Sequence, residues 1–169
     1  LGVAMRKTLT LFILIIFSSC SSIFSQTPII QIYGVQLLTS LNEIKDTFYS
    51  LKLVVNNDLT PVFEGQRMSS DPTLSLEFLD INMGGKETQT YKLTGVARVE
   101  YQRNLDIWSS IISSYVTTIG MQPKIIENYP LKMAVWGFPE TNTILNVSYN
   151  YQDQRVIERL YWDLSSITN

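Results

Sequence analysis

The sequence predicts a two-layer α+β fold, an antiparallel sheet of about six strands with two helices packed on one face. Three observations predict it. Ser40-Leu41-Asn42-Glu43 is a capping box, followed by Leu41, Ile44 and Phe48 at three- and four-residue spacing, which is one face of a helix. Leu105, Trp108, Ile112, Tyr115 and Ile119 recur at the same spacing between a capping Asn104 and Gly120, which marks a second helix. Between and after these segments, apolar residues alternate with polar ones, as in half-buried strands. The order is helix then strands, twice over, and a helix followed by a meander buries its apolar stripe on a sheet face.

In chain order, Ile29–Val35 is β-branched and apolar and reads as a first strand or an extended lead-in, with Gly34 interrupting it. The first helix spans Ser40–Leu51. A short apolar run, Leu51–Val55, leads to the turn cluster Asn56-Asn57-Asp58. Pro61–Glu64 is a short strand at most, and residues 65–72 are loop. Thr73–Ile81 puts Leu74, Leu76 and Phe78 on one side. Asn82–Lys86, with two glycines, is turn chemistry. Thr88–Tyr101 puts Tyr91, Leu93, Ala97, Val99 and Tyr101 in one row, which Gly95 breaks, as at a bulge or a close contact. The second helix, Asn104–Ile119, is rich in Ser, Thr and Ile, so its assignment rests on spacing against propensity. Lys124–Glu127, Leu131–Phe138, Thr143–Tyr151 and Arg155–Leu164 complete the strands. All three tryptophans, Trp108, Trp136 and Trp162, fall between Asn104 and Leu164, and each can bury about 150–250 Å². The segments 34–101 and 104–164 share element order without a shared residue pattern.

The chain opens with an export signal. Met5 stands directly before Arg6 and Lys7, and Leu9–Phe17 is an apolar run interrupted only by Thr10, shorter than the roughly 20 residues that span a bilayer. Small residues follow, the pattern of a secretory signal peptide. The expected division is a signal over residues 1–25, with 1–4 upstream of the start, and one domain over 26–169. Cleavage after Ser25 is the expected processing. The alternative is lipidation at Cys20, because Phe17-Ser18-Ser19-Cys20 resembles a bacterial lipobox. The two routes predict a periplasmic or secreted protein and a membrane-anchored lipoprotein, respectively.

Composition excludes several chemistries. The chain has no histidine, and Cys20 is its only cysteine. That removes Ser–His–Asp and Cys–His catalysis and His- or Cys-ligated zinc. The net charge is −2 with the charges scattered singly, which does not suit a nucleic-acid partner. No cofactor or metal is expected. Asp80-Ile81-Asn82-Met83-Gly84-Gly85 resembles the start of a calcium loop, but the twelfth position is Tyr91 where a bidentate glutamate is needed. Asp153, Glu158 and Asp163 are the candidates for a pair of carboxylates in glycoside hydrolysis. The alternative for Glu158 is a place near a sheet edge or an ion pair with a neighbour such as Lys132. Trp136, Tyr149, Tyr151, Tyr161 and Trp162 are the candidate aromatic face: a platform for a sugar ring or protein if exposed, core if covered. Asn146-Val147-Ser148 matches a glycosylation acceptor but sits mid-strand.

Two places resemble small bacterial envelope modules of the BamE/SmpA type and the β-lactamase-inhibitor-protein type. Thr39–Ile44 is similar to the Gly-Met-Ser/Thr-x-x-Glu-Val start of their helix, with Leu38 where the glycine stands. The helix ending at Gly120, then Trp136-Gly137-Phe138, Leu145–Tyr151 and Leu160-Tyr161-Trp162, is similar to their helix-and-meander ending. The resemblance implies a non-catalytic binding or assembly role in the envelope, toward an unknown protein or glycan, with the membrane met only through a lipid at Cys20. The alternative function is a carboxylate-dependent hydrolase of an envelope glycan.

Overall fold

The structure, a computed structural model, describes residues 29–81, 91–101 and 105–163. It is α+β: one antiparallel sheet of eight strands and two helices. The segment expected to be a signal, Cys20 and the expected turn at Asn82–Lys86 lie outside the described residues. Among those described, no helix is long and apolar enough to cross a membrane.

The elements are α1 (Leu41–Thr47), β1 (Ser50–Val55), β2 (Val62–Gln66), β3 (Leu74–Asp80), β4 (Tyr91–Tyr101), α2 (Leu105–Ile119), β5 (Lys124–Asn128), β6 (Leu131–Phe138), β7 (Thr143–Asn150) and β8 (Arg155–Trp162). A 3₁₀ turn, Pro139–Thr141, joins β6 to β7. The spatial order is β1-β2-β3-β4-β8-β7-β6-β5. Each half is thus a helix followed by a four-stranded meander, and the halves join where their last strands, β4 and β8, pair antiparallel. The sheet is larger than the six strands expected. The difference lies chiefly in β1 and β2, which pair with each other at one edge. An edge strand exposed on both sides shows no alternation, so periodicity cannot announce it.

The capping box forms as the residues dictate. The Ser40 hydroxyl accepts from the Glu43 N–H at 3.3 Å, and the Ser40 N–H donates to Glu43 Oε2 at 2.9 Å. The helix ends at Thr47, earlier than Leu51, because Phe48 is already extended (φ −94°, ψ 133°) and leads into β1. Ile29–Val35 is not a strand. Tyr33 and Gly34 take positive φ and fold the chain back on itself, with Ile32 bridging Val35. Ile32 and Val35 are buried there. The segment then runs along β4, with the Leu38 N–H donating to Leu93 O and the Leu93 N–H to Thr39 O.

Helix α2 starts at Leu105; Asn104 lies outside the described residues. Gly120, at φ +76°, closes it, its N–H donating to Val116 O. Trp108 is buried, and its Nε1–H donates to Val147 O at 3.0 Å. Ile119 is buried and Tyr115 half-buried, whereas Leu105 is 36 % exposed, so the buried stripe begins at Trp108.

Register assigns the sheet faces. Leu76 lies opposite Val96, Val96 opposite Leu160, Leu160 opposite Leu145, and Leu145 opposite Trp136. These residues are all buried and form one apolar cluster with Ile44 of α1 and Trp108 and Ile119 of α2. Glu77 pairs with Gly95 but Phe78 pairs with Leu93, so Thr94 is an extra residue in β4. Such a bulge reverses the facing of everything beyond it. The row expected in β4 is therefore split: Leu93 is on the buried face, and Ala97 and Val99 are on the other.

Candidate binding surface

The opposite face is a ruled array. One row across five strands is Ile126, Met133, Ser148, Ile157 and Val99. The next crosses all eight: Lys124, Val135, Asn146, Arg159, Ala97, Ser75, Glu64 and Lys52. A third holds Ile144, Tyr161, Gly95 and Glu77. Most of these side chains are half-buried, the condition of a single sheet face bordered by solvent. The centre is apolar, and lysines stand at both edges.

Gly95 shapes this face. A Cβ there would lie 2.9 Å from Glu77 Oε2, so the missing side chain lets Glu77 lie across β4. Its carboxylate accepts from Arg159 Nη2 at 2.8 and 2.9 Å, and Arg159 also lies over the Tyr161 ring at 5.4 Å. Both charged side chains are nearly half exposed, so the pair orders the surface more than it stabilises the fold.

The five candidate aromatics are not brought onto one surface. Trp136 and Tyr149 are buried on the cluster face, and the Trp136 Nε1–H donates to Met121 O. Trp162 is half-buried on that side and lines a cleft of about 180 Å³ with Ile29, Ile30, Leu37, Leu38 and Thr143. Tyr161 is on the opposite face. Tyr151, in the turn after β7, packs edge-on to Tyr149 and stacks with Tyr129 at 6.3 Å. Tyr129, 74 % exposed, is an aromatic that the alternation argument missed, because it lies between strands. A second cleft, of about 290 Å³, has Gln31, Thr39, Glu43, Thr47 and Arg67 in its wall. The first is smaller than the roughly 300–1,000 Å³ typical of ligand pockets, and the second only reaches the low end of that range.

Glu158 is buried mid-sheet, not at an edge, and its partner is not Lys132, which pairs with Glu127 instead. The Tyr115 hydroxyl donates to Glu158 Oε2 at 2.8 Å, and Arg98 Nη1 lies 3.4 Å from Oε1. Arg98 also meets the Tyr33 hydroxyl and covers its ring at 4.5 Å. Burial pushes the Tyr115 hydroxyl far above its ordinary range, and the charge and hydrogen bond of Glu158 add to the rise. Asp153 and Asp163 flank opposite ends of β8, each five residues from Glu158. At about 3.3 Å per residue the strand alone carries the backbone roughly 10 Å from Glu158 to its Arg155 end and roughly 13 Å to its Trp162 end, beyond the roughly 5–9.5 Å at which paired carboxylates act on a glycosidic bond. Among the described residues there is no cluster of three or more acidic, cysteine or histidine side chains placed to hold a metal. In comparison with known proteins, the chain matches no protein family, no curated sequence and no solved structure.

Proposed function

We propose that the chain is an exported, non-catalytic binding or assembly protein of a bacterial envelope. In this reading both helices pack on the cluster face in two layers, and the partner docks on the other. The observation that carries it is the ruled face itself: an apolar centre through Met133 and Ile157, the Arg159–Glu77 pair beside it, and lysines at either end. Interfaces of this kind have an apolar core and a polar rim. The amino-terminal signal pattern supports export, and the wide spacing of Asp153, Glu158 and Asp163 favours binding over glycan hydrolysis.

The test is site-specific photocrosslinking in the native host. A photoreactive residue at Met133 or Ile157 should capture a discrete partner, and one at Ser113, exposed on α2, should not. Capture from Ser113 alone, or turnover of cell-wall glycan by the purified protein, overturns the reading. Location is checked by intact mass: the mature chain should begin at Gln26, and a diacylglyceryl addition on Cys20 would mean the lipoprotein route.

A further inference from the structure

Strand β1 ends the sheet, and among the described residues nothing pairs with its outer edge. That edge presents alternating N–H and C=O groups, which only another extended backbone can satisfy in series. The side chains beside it are apolar and open. Leu53 is 42 % exposed, Val54 49 %, Val55 49 % and the preceding Tyr49 72 %. The opposite edge, β5, is better guarded: Glu127 is engaged by Lys132 and by the Tyr151 hydroxyl, and Lys124 heads the strand.

We infer that β1 accepts an added antiparallel strand from a partner protein, an extended segment with an acidic residue between two apolar ones. The inner edge supplies the template. There Lys52 lies opposite Glu64, and Leu53 lies opposite Phe63. Side chains on an outer strand meet the same two faces of β1, so an acid belongs opposite Lys52 and an apolar residue opposite Leu53, as on the inner side; Leu51, which faces Gly65 there, offers its apolar side chain to a second apolar residue. A second copy of β1 fits poorly, because Ser50–Val55 carries Lys52 as its only charge and offers it no acid. This inference rests on the binding role proposed above and adds a partner class to it.

The probe is a blocked, fluorescein-labelled pentapeptide, Thr-Val-Glu-Val-Thr, read by anisotropy, with amide hydrogen exchange across residues 50–55. Saturable binding and slowed exchange confined to β1 are expected. Lys52→Glu should weaken binding roughly five- to tenfold, from a lost attraction and a new repulsion. A peptide with lysine in place of the glutamate should then prefer the variant to the parent. No saturation at millimolar peptide, equal binding of both peptides by both proteins, or a dimer formed through β1 overturns the inference. If the edge fails while crosslinks from Met133 and Ile157 persist, the edge alone is overturned and the binding role stands.

Discussion

Glu158 shares its carboxylate between donors from two other elements, Tyr115 of α2 and Arg98 of β4. Glu158→Gln leaves the guanidinium beside a neutral amide. Removing one member of a buried ion pair costs about 3–5 kcal/mol. Tyr115→Phe keeps the pair and deletes one hydrogen bond to a charged group, about 1.5–3 kcal/mol. Urea titration should rank them in that order, and equal losses would mean that Arg98 contributes nothing to the site. The sequence offered Glu158 a neighbour such as Lys132 but could not name Arg98, because the pairing of β8 with β4 joins segments some sixty residues apart. Gly95 was more legible. A glycine interrupting an alternating strand signals a bulge or close packing, and here Thr94 is extra beside it while Glu77 lies across it.

The two helices differ in what holds them. α1 is short and depends on its cap. The backbone N–H of Ser40, and then its hydroxyl, hold the Glu43 carboxyl below the ordinary value of 4.5. A depressed acid contributes stability that is complete above its unfolded value and fades as pH falls through the folded one. The stability gap between parent and Glu43→Ala should therefore be constant above about pH 5 and shrink below 4.5. A gap that persists unchanged at pH 3 would rule out the charged cap as its source. α2 depends on Trp108. Trp108→Ala should cost about 3–5 kcal/mol, while Ser109→Ala, exposed on α2, should change stability by less than about 0.5 kcal/mol. A Trp108→Ala protein as stable as its parent would remove the helix from the core. The stripe of α2 was readable against its poor propensity because spacing survives where composition misleads. The fold-back at Tyr33 was not readable: a non-glycine residue at positive φ leaves no periodic mark, and the flanking run Ile29–Val35 imitates a strand.

At the scale of the molecule, the halves meet at β4 and β8 within one apolar cluster, so they should unfold together. Every tryptophan lies in the second half, which makes the idea testable. Phe78→Ala in β3, where the ring is buried edge-on to Phe63, should shift the tryptophan-fluorescence midpoint as far as the far-UV circular dichroism midpoint. A fluorescence midpoint that stays put would show two separately folding units. The repeated helix-and-meander order was visible in the sequence, but the antiparallel joint between last strands was not, since no local signal says which strands of two meanders meet. One consequence follows from the cleft shared by Ile29 and Trp162. The first and last parts of the described chain are neighbours there, so the order in which the halves are written along the chain is interchangeable. A circular permutant running 105–163, a short Gly-Ser linker, then 29–101 should fold to the same strand order and melt cooperatively within about 5 °C of a 29–163 parent. Reading the protein from its middle should yield the same molecule.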